Sequence, residues 1–277
     1  MRGILKRAGP WWLLAGLALL VAGCYTVPET GRQALMMVPE AQMQAMGVEA
    51  FREIKRKEKT SRDPAARRRV EQVGRRIAGV SRGATGMPPE KWEFTTFASA
   101  EKNAFALPGG KVGVYEGILE VAATDAELAT VMGHEVAHVA ARHGGERMSE
   151  MLVISMGGMA LSVALREEPQ QTRQLYLLAY GVTTQVGRVL PHSRQQELEA
   201  DRIGLLYMAR AGYDPRAAVS FWQKMEKAGS GGKAPAFLST HPSHGQRVQR
   251  LKDWMPEALK EYRQARRRPG PARVGAR

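Results

Sequence analysis

The sequence predicts an α+β domain that is mostly helical, with a small β-sheet beside a helix that carries two histidines. Apolar residues recur at helical spacing in several long segments, as they do at Val70, Val73 and Ile77. The segment 92–97 is rich in aromatic and β-branched residues, and 103–119 has two apolar runs around a Pro-Gly-Gly turn, which is typical of strands. With 277 residues, 44% of them apolar, the chain is long enough for one large domain or two small ones.

Capping and turn residues place the helices along the chain. Helices are expected at 40–59 and 64–80. The helix that carries the histidines follows a capping box formed by Thr124 and Glu127, and it is expected to end at Gly144-Gly145. The remaining helices are predicted over 151–165, 170–188, 194–211 and 215–228.

The segment 151–165 is apolar apart from its serines and glycines. Its length falls short of the roughly 20 residues that a membrane-spanning helix needs. We therefore expect a buried or partly buried helix there, with a membrane-facing or substrate-facing flap as the alternative.

The N-terminus has the charge order and length of a signal peptide. Basic residues precede an apolar run over 11–21, which is too short to span a membrane. Cys24, the only cysteine, follows three small residues in a pattern that resembles a bacterial lipobox. We predict that 1–23 is removed and that Cys24 is lipidated, although an ordinary signal peptide with a chance cysteine is the alternative. Because Tyr25 is not the aspartate of the inner-membrane retention signal, the resemblance favours the periplasmic side of the bacterial outer membrane.

The charge balance alone does not identify a partner. The chain has 41 Lys+Arg against 27 Asp+Glu, a formal net charge of +14 that would suit nucleic acid or an anionic membrane. The basic residues gather at the ends of the chain and in 55–69, without an aromatic strand motif, zinc-finger spacing or a helix-turn-helix signal. We therefore predict no nucleic-acid binding.

The stretch "GHEVAHVAARH" (133–143) contains the chemistry of a metal site. His134 and His138 are one helical turn apart, so their imidazoles share a face and can hold one metal ion. Glu135 can act as the general base of a zinc hydrolase in this H-E-x-x-H arrangement. The alternative is a buried, hydrogen-bonded histidine pair. The single cysteine excludes sulfur-rich sites, and the ligand types favour zinc.

A third ligand is expected in "SRQQELEADRIG" (193–204). Glu197 and Asp201 are four residues apart on one helical face. Glu197 would complete a His-His-Glu site, and Asp201 would accept the remaining N–H of a ligating histidine. Glu199 is the rival ligand, but it points to a different side of the helix. A solvated charged face is the alternative for the whole stretch.

These stretches, together with "NAFALPGGKVGVYEGIL" (103–119) and "STHPSHGQRVQRL" (239–251), resemble the HtpX-like zinc metallopeptidases. The resemblance implies a gluzincin-type metallopeptidase domain, which we place at 40–260. It implies Zn²⁺ as the cofactor. By this resemblance His134, His138 and Glu197 are the zinc ligands, Glu135 is the general base, and Asp201 supports the site. Some members of the family are integral membrane proteins, but this chain has no full spanning segment after residue 23, which favours the lipid-anchored periplasmic branch. The flanks would be a lipid-anchored tether (24–39) and a basic, disordered tail (261–277).

The resemblance also implies roles for residues outside the zinc motif. The strand containing Asn103, Ala104 and Phe105 would pair with an extended substrate through backbone hydrogen bonds. A hairpin that only packs is the alternative. His241 and Arg247 would face the zinc and stabilise the oxyanion. His241 would otherwise occupy the open zinc position and keep the enzyme latent, or be a plain loop histidine.

We therefore predict a zinc endopeptidase that cleaves misfolded or misassembled cell-envelope proteins, with water activated by zinc and by Glu135. Its partners would be those substrates, the membrane through the N-terminal lipid anchor, and the outer-membrane assembly machinery. The alternative function is a chaperone-like assembly factor with a latent site that acts by binding.

Overall fold

The computed structural model describes residues 24–230, 235–241 and 245–267, without the side chains at 191 and 230. The predicted signal peptide and residues 268–277 of the predicted tail lie outside the described residues. The helices are α1 (Glu40–Lys57), α2 (Pro64–Thr85), α3 (Glu116–Val121), α4 (Asp125–Ala140), α5 (His143–Ala164), α6 (Gln170–Thr184), α7 (Leu190–Arg210), α8 (Arg216–Ser230), α9 (Ala236–Thr240) and α10 (Arg247–Arg267). Within these ranges, no helix has the length and apolar content needed to cross a membrane.

Two small sheets accompany the helices. Strands β1 (Cys24–Thr26) and β2 (Gln33–Leu35) form an antiparallel pair. The second sheet has the order β3-β5-β4, with β3 (Glu93–Phe97) parallel and β4 (Ala104–Leu107) antiparallel to the central β5 (Lys111–Tyr115). The predicted fold class, mostly helical α+β with a small sheet beside the histidine helix, is confirmed.

Helix α4 lies at the centre of the domain. The predicted capping box is present, since the Thr124 hydroxyl accepts from the backbone N–H of Glu127 while the Glu127 carboxylate accepts from the backbone N–H of Thr124. Nearly every residue of the helix is buried, because it packs against α2, α7, α8 and β4. The helix ends at Ala140 rather than at Gly144-Gly145, because Arg142 adopts a left-handed conformation (φ 56°) and the two glycines lie inside α5.

Both predicted flanks contain ordered structure. In the segment predicted as a tether, Val27 is fully buried, and the Tyr25 hydroxyl donates to the carbonyl oxygen of Ala140 at 3.1 Å. These contacts pack the β1–β2 hairpin on the domain. In the segment predicted as a disordered tail, α10 continues to Arg267, and Tyr262 packs against the core.

Candidate metal centre

Two crossing helices bring the predicted ligands together. α4 places His134 and His138 on one face, and α7 presents Glu197 to them. The helices cross at Gly133 and Gly204, where a Cβ built on Gly133 would lie 2.7 Å from the carbonyl oxygen of Gly204. Glycine at this crossing allows the two backbones to approach closely enough for ligands on different helices to share one ion.

The donor atoms have the spacing of a tetrahedral zinc site. Nε2 of His134 lies 3.1 Å from Nε2 of His138 and 3.3 Å from Oε2 of Glu197. The distance from His138 Nε2 to Glu197 Oε1 is 3.5 Å. Ligands about 2.0–2.1 Å from zinc at tetrahedral angles would lie about 3.4 Å apart. Nδ1 of His241 is a fourth potential donor, 3.1 Å from His134 Nε2 and 3.0 Å from Glu197 Oε2.

Hydrogen bonds behind the histidines leave their inward nitrogens as donors to a metal. Nδ1 of His134 lies 2.9 Å from Oδ1 of Asp201, so an N–H there donates to the carboxylate and Nε2 is the nitrogen left to bind a metal once its own proton is lost. Nδ1 of His138 lies 2.8 Å from Nδ1 of His143, whose Nε2 is 3.0 Å from Oε2 of Glu199. If His143 donates to Glu199, its Nδ1 accepts the His138 proton, and His138 Nε2 keeps a lone pair. Two imidazole nitrogens and a carboxylate converging in this way suit a bound cation, so the residues fit zinc.

Before a metal binds, burial and the mutual contacts of these groups keep His138 neutral and Glu197 ionised but favour a proton on His134. Burial holds the pKa of His138 well below its usual value, which keeps the ring neutral. Burial alone would raise the pKa of Glu197, but the adjacent His138 and His134 outweigh it and lower that pKa well below the usual range. Burial alone would lower the pKa of His134, but Asp201 and Glu197 outweigh it and raise that pKa to about 10. Zinc therefore has to displace a proton from His134 when it binds.

Glu135 lies beside the donor cluster with one oxygen uncommitted. Its Oε2 accepts from the backbone N–H of Ala106 on β4 at 3.0 Å. Its Oε1 is buried and accepts no hydrogen bond from the described residues, although His241 Nε2 lies 3.2 Å away. Burial raises the pKa of Glu135, which increases its affinity for a proton. These properties suit the predicted general base.

Arg247 is fully buried and lies behind the carboxylates of Glu197 and Asp201. Its guanidinium donates to Oδ2 of Asp201 at 2.5 Å and to Oε2 of Glu197 at 3.2 Å, and it stacks 3.9 Å above the ring of Trp222. Asp201 thus lies between Arg247 and His134, as expected for the residue that supports the site. A direct role of Arg247 at the oxyanion stays a prediction.

The predicted substrate strand is β4, at the edge of its sheet. The backbone carbonyl of Asn103 accepts from Tyr115, and Ala104 is buried, so these groups face the domain. The ring of Phe105 packs in a small aromatic cluster with Phe51 and Phe97. The binding of substrate at β4 therefore stays a prediction.

The sequence did not predict the roles of His143 and Glu199 behind His138. His143 is the last residue of the 133–143 motif, and its ring is fully buried against His138. Glu199 does point to a different side of α7 from Asp201, and there it meets His143 together with Arg32, whose Nε donates at 2.8 Å. The spacing of five residues between His138 and His143 was the available signal.

The fold and the site define the catalytic domain of a metallopeptidase, with two histidines from one helix and a glutamate from the next crossing helix. Residues 64–255 match the model of peptidase family M48, and the chain belongs to that family. It is 41% identical over 190 residues to the mitochondrial metalloendopeptidase OMA1 of Schizosaccharomyces pombe, covering 68% of this chain and 53% of that protein. The human mitochondrial metalloendopeptidase OMA1 is 32% identical over 272 residues, covering 92% of this chain and 52% of that protein. The β-barrel assembly-enhancing protease of Escherichia coli is 28% identical over 221 residues, covering 78% of this chain and 44% of that protein.

These comparisons confirm the predicted metallopeptidase family and zinc as its cofactor. They do not support the prediction of a bacterial lipoprotein. The predicted location on the periplasmic side of the bacterial outer membrane is wrong, because the relatives with the higher identity are mitochondrial proteins. The chain spans about half the length of the curated relatives it matches.

Proposed function

We propose that this chain is a zinc endopeptidase that hydrolyses peptide bonds in misfolded or misassembled proteins. The observation that carries the proposal is the convergence of His134, His138 and Glu197 beside Glu135, whose buried Oε1 accepts no hydrogen bond within the described chain. A purely structural histidine cluster would not need a carboxylate with an uncommitted oxygen at its edge.

The protein residues supply proton transfer and orientation. When bound, zinc is a Lewis acid that polarises the scissile carbonyl and makes water a better nucleophile at neutral pH. Glu135, with its raised pKa, takes a proton from the attacking water and returns it to the leaving amine. Asp201 and Arg247 keep His134 and Glu197 in place through their hydrogen bonds.

The position of β4 supports an extended protein substrate. The backbone N–H of Ala106 donates to Glu135, so this edge strand is in direct contact with the proposed base. A peptide that added a strand beside Asn103, Ala104 and Phe105 would bring its carbonyl groups to the metal centre. Such a peptide has to be unfolded first, which favours misfolded proteins as substrates. The name of the bacterial relative, a β-barrel assembly-enhancing protease, supports misassembled proteins among them.

The test is cleavage of casein by Glu135→Gln beside the wild type, Glu197→Ala and Glu120→Gln. Glu120 is an exposed glutamate of α3 and serves as the matched control. We expect Glu135→Gln to bind zinc, stay folded and lose cleavage, while Glu197→Ala loses zinc and Glu120→Gln behaves as the wild type. An unchanged rate in Glu135→Gln would disprove the proposed mechanism.

The position of His241 favours the second function, a latent site in a protein that acts by binding. Its Nδ1 lies among the donor atoms, where it would fill a fourth metal position. Under this alternative, His241→Ala cleaves casein much faster than the wild type, whereas a histidine that aids catalysis makes the variant slower. Retained capture of unfolded protein by Glu135→Gln would add support for binding without cleavage.

A further inference from the structure

Helices α5 and α6 form a hairpin that projects from the domain. Every buried residue of α5 precedes residue 151, and no described residue of α6 is buried. The two helices contact each other where the Tyr180 hydroxyl donates to the carbonyl oxygen of Ile154 at 2.9 Å. Gly157 gives the Tyr180 ring room to pack, because a Cβ there would collide with its hydroxyl. The two helices therefore pack against each other while the outer surface of the hairpin is exposed.

This outer surface is apolar to an unusual degree. Of the large apolar side chains that are exposed within the described ranges, all but Met37 and Met46 belong to the segment 151–190. The members of this apolar hairpin surface are Met151, Leu152, Val153, Met156, Met159, Val163, Leu175, Tyr176, Leu178, Val182, Val186 and Leu190. The helix expected to be buried or partly buried at 151–165 has no buried residue, although some of its residues are partly buried, and Val163 keeps 65% of its surface exposed. A surface of this extent usually marks a site of interaction.

The charges of the hairpin form two boundaries with an uncharged band between them. Neither 151–165 nor 174–187 contains an acidic or basic residue. At the tip, 166–173 contains two arginines and two glutamates. At the base, Glu150 pairs with Arg188 at 2.6 Å. Fifteen helical residues give the band a length of about 22 Å, which exceeds one leaflet of a hydrocarbon core about 30 Å thick.

The apolar side chains surround the helices rather than forming a single stripe. Met151, Leu152 and Val153 are consecutive and all exposed, and consecutive helical residues point about 100° apart. A protein partner that docks on one side would leave part of this surface in water. Lipid can cover it from all sides, as is typical of helices that are apolar around their circumference.

The N-terminal end of the described chain lies at the base of this hairpin. Cys24 lines the same surface cleft as Glu150 and Arg188. The residues that precede it include the apolar run 11–21. The chain therefore enters the described domain beside the base of the apolar hairpin.

We propose that the apolar hairpin surface inserts into a lipid bilayer and holds the metal centre beside the membrane. The association is driven by burial of apolar side chains rather than by the positive charge of the chain, so neutral lipid is sufficient. Helix α5 begins at His143, in contact with His138, and its apolar surface begins at Met151, about 12 Å further along the helix.

The first test is flotation of the full chain with phosphatidylcholine vesicles at high salt. The variant Met159→Glu/Leu178→Glu adds two charges to side chains that are 61% and 66% exposed, so it should fold normally. The matched control is Met46→Glu, at an exposed methionine of α1. We expect the wild type and Met46→Glu to float to the same extent and the double variant to float less, with its remaining flotation due to the apolar run 11–21. Equal flotation of the double variant would overturn the proposal.

A second measurement separates the hairpin from the N-terminal segment. In Cys24→Ser, a nitrobenzoxadiazole label is attached to Met159→Cys or, as the control, to Met46→Cys. Phosphatidylcholine vesicles should cause a blue shift and a several-fold rise in emission at position 159 and little change at position 46. No change at 159 would overturn the proposal even if the chain floats. A concentration-dependent shift without vesicles would also overturn it, because a second copy of the chain would then cover the surface.

Discussion

The substitution Gly133→Ala tests whether the crossing of α4 and α7 builds the metal centre. The Cβ of the new alanine would lie 2.7 Å from the carbonyl oxygen of Gly204, about 0.7 Å inside ordinary van der Waals contact. The atom that it meets belongs to the backbone. A Cβ built on Gly204 would likewise lie 2.7 Å from the backbone N of His134. Neither side has a flexible chain end that can move away, so the helices must separate.

The expected cost follows from two opposing contributions. Overpacking a rigid contact costs about 1–3 kcal/mol, and backbone on both sides favours the upper end of this range. Alanine recovers about 1 kcal/mol of helix propensity relative to glycine. The net loss in free energy of unfolding is then about 2 kcal/mol, which corresponds to a decrease in Tm of roughly 4–8 °C for a domain of this size. Zinc affinity should fall as well, because His134 moves relative to Glu197.

The assay is urea unfolding together with zinc competition against a chromogenic chelator. Gly83→Ala is the control, since Gly83 lies in helix α2 with no neighbouring atom within 4 Å of the new Cβ. The control should be as stable as the wild type or slightly more stable. If Gly133→Ala matched the control in stability and zinc affinity, the close helix crossing would have no role in forming the site.

Three further predictions concern the surroundings of the site. His143→Gln should lower zinc affinity by about 10- to 100-fold, because His143 fixes the tautomer of His138, and chelator competition would reveal an unchanged affinity if this reasoning fails. Burial alone would raise the pKa of Glu146, but hydrogen bonds from Arg32 hold that pKa well below its usual range. The ionised carboxylate therefore contributes its full stabilisation above the pKa of about 4.3 that it has in the unfolded chain. This stabilisation is lost as the pH falls towards the lower pKa of the folded state. The stability difference between the wild type and Glu146→Gln in urea should therefore shrink below about pH 4, and a difference independent of pH would contradict the assignment. Removal of the metal by a chelator should abolish casein cleavage and lower Tm, both restored by zinc, because an ion that binds only the folded state stabilises it; an unchanged Tm would argue against binding at the centre.

Local patterns in the sequence were sufficient to predict which residues lie together at the centre of the site. His134, Glu135 and His138 lie within five residues of one helix, so the helical repeat alone fixes which face they share. Glu197 and Asp201 were identified for the same reason, one turn apart on α7. The small sheet and its edge strand followed from short apolar runs and the Pro-Gly-Gly turn, where Gly109 and Gly110 take positive φ values of 82° and 70°.

Contacts between distant segments could not be read from these patterns. The partner of His143 is Glu199, and the partner of Glu199 is Arg32, which the sequence placed in a tether. The 24–39 segment is ordered because its side chains contact α4, α5 and α7. Local sequence patterns do not predict contacts between such distant segments.

The exposure of the hairpin also could not be predicted from local sequence patterns. Apolar content within 151–165 predicts burial, and composition alone does not reveal whether the rest of the chain supplies a surface to cover it. In the folded protein the buried residues of α5 end before residue 151, so the apolar segment extends beyond the domain. The sequence by itself determined the fold class and the residues of the candidate metal centre, because these depend on spacing within single helices. The tertiary structure alone decided how those residues are held and which apolar surface stays exposed, because both depend on which segments meet in space.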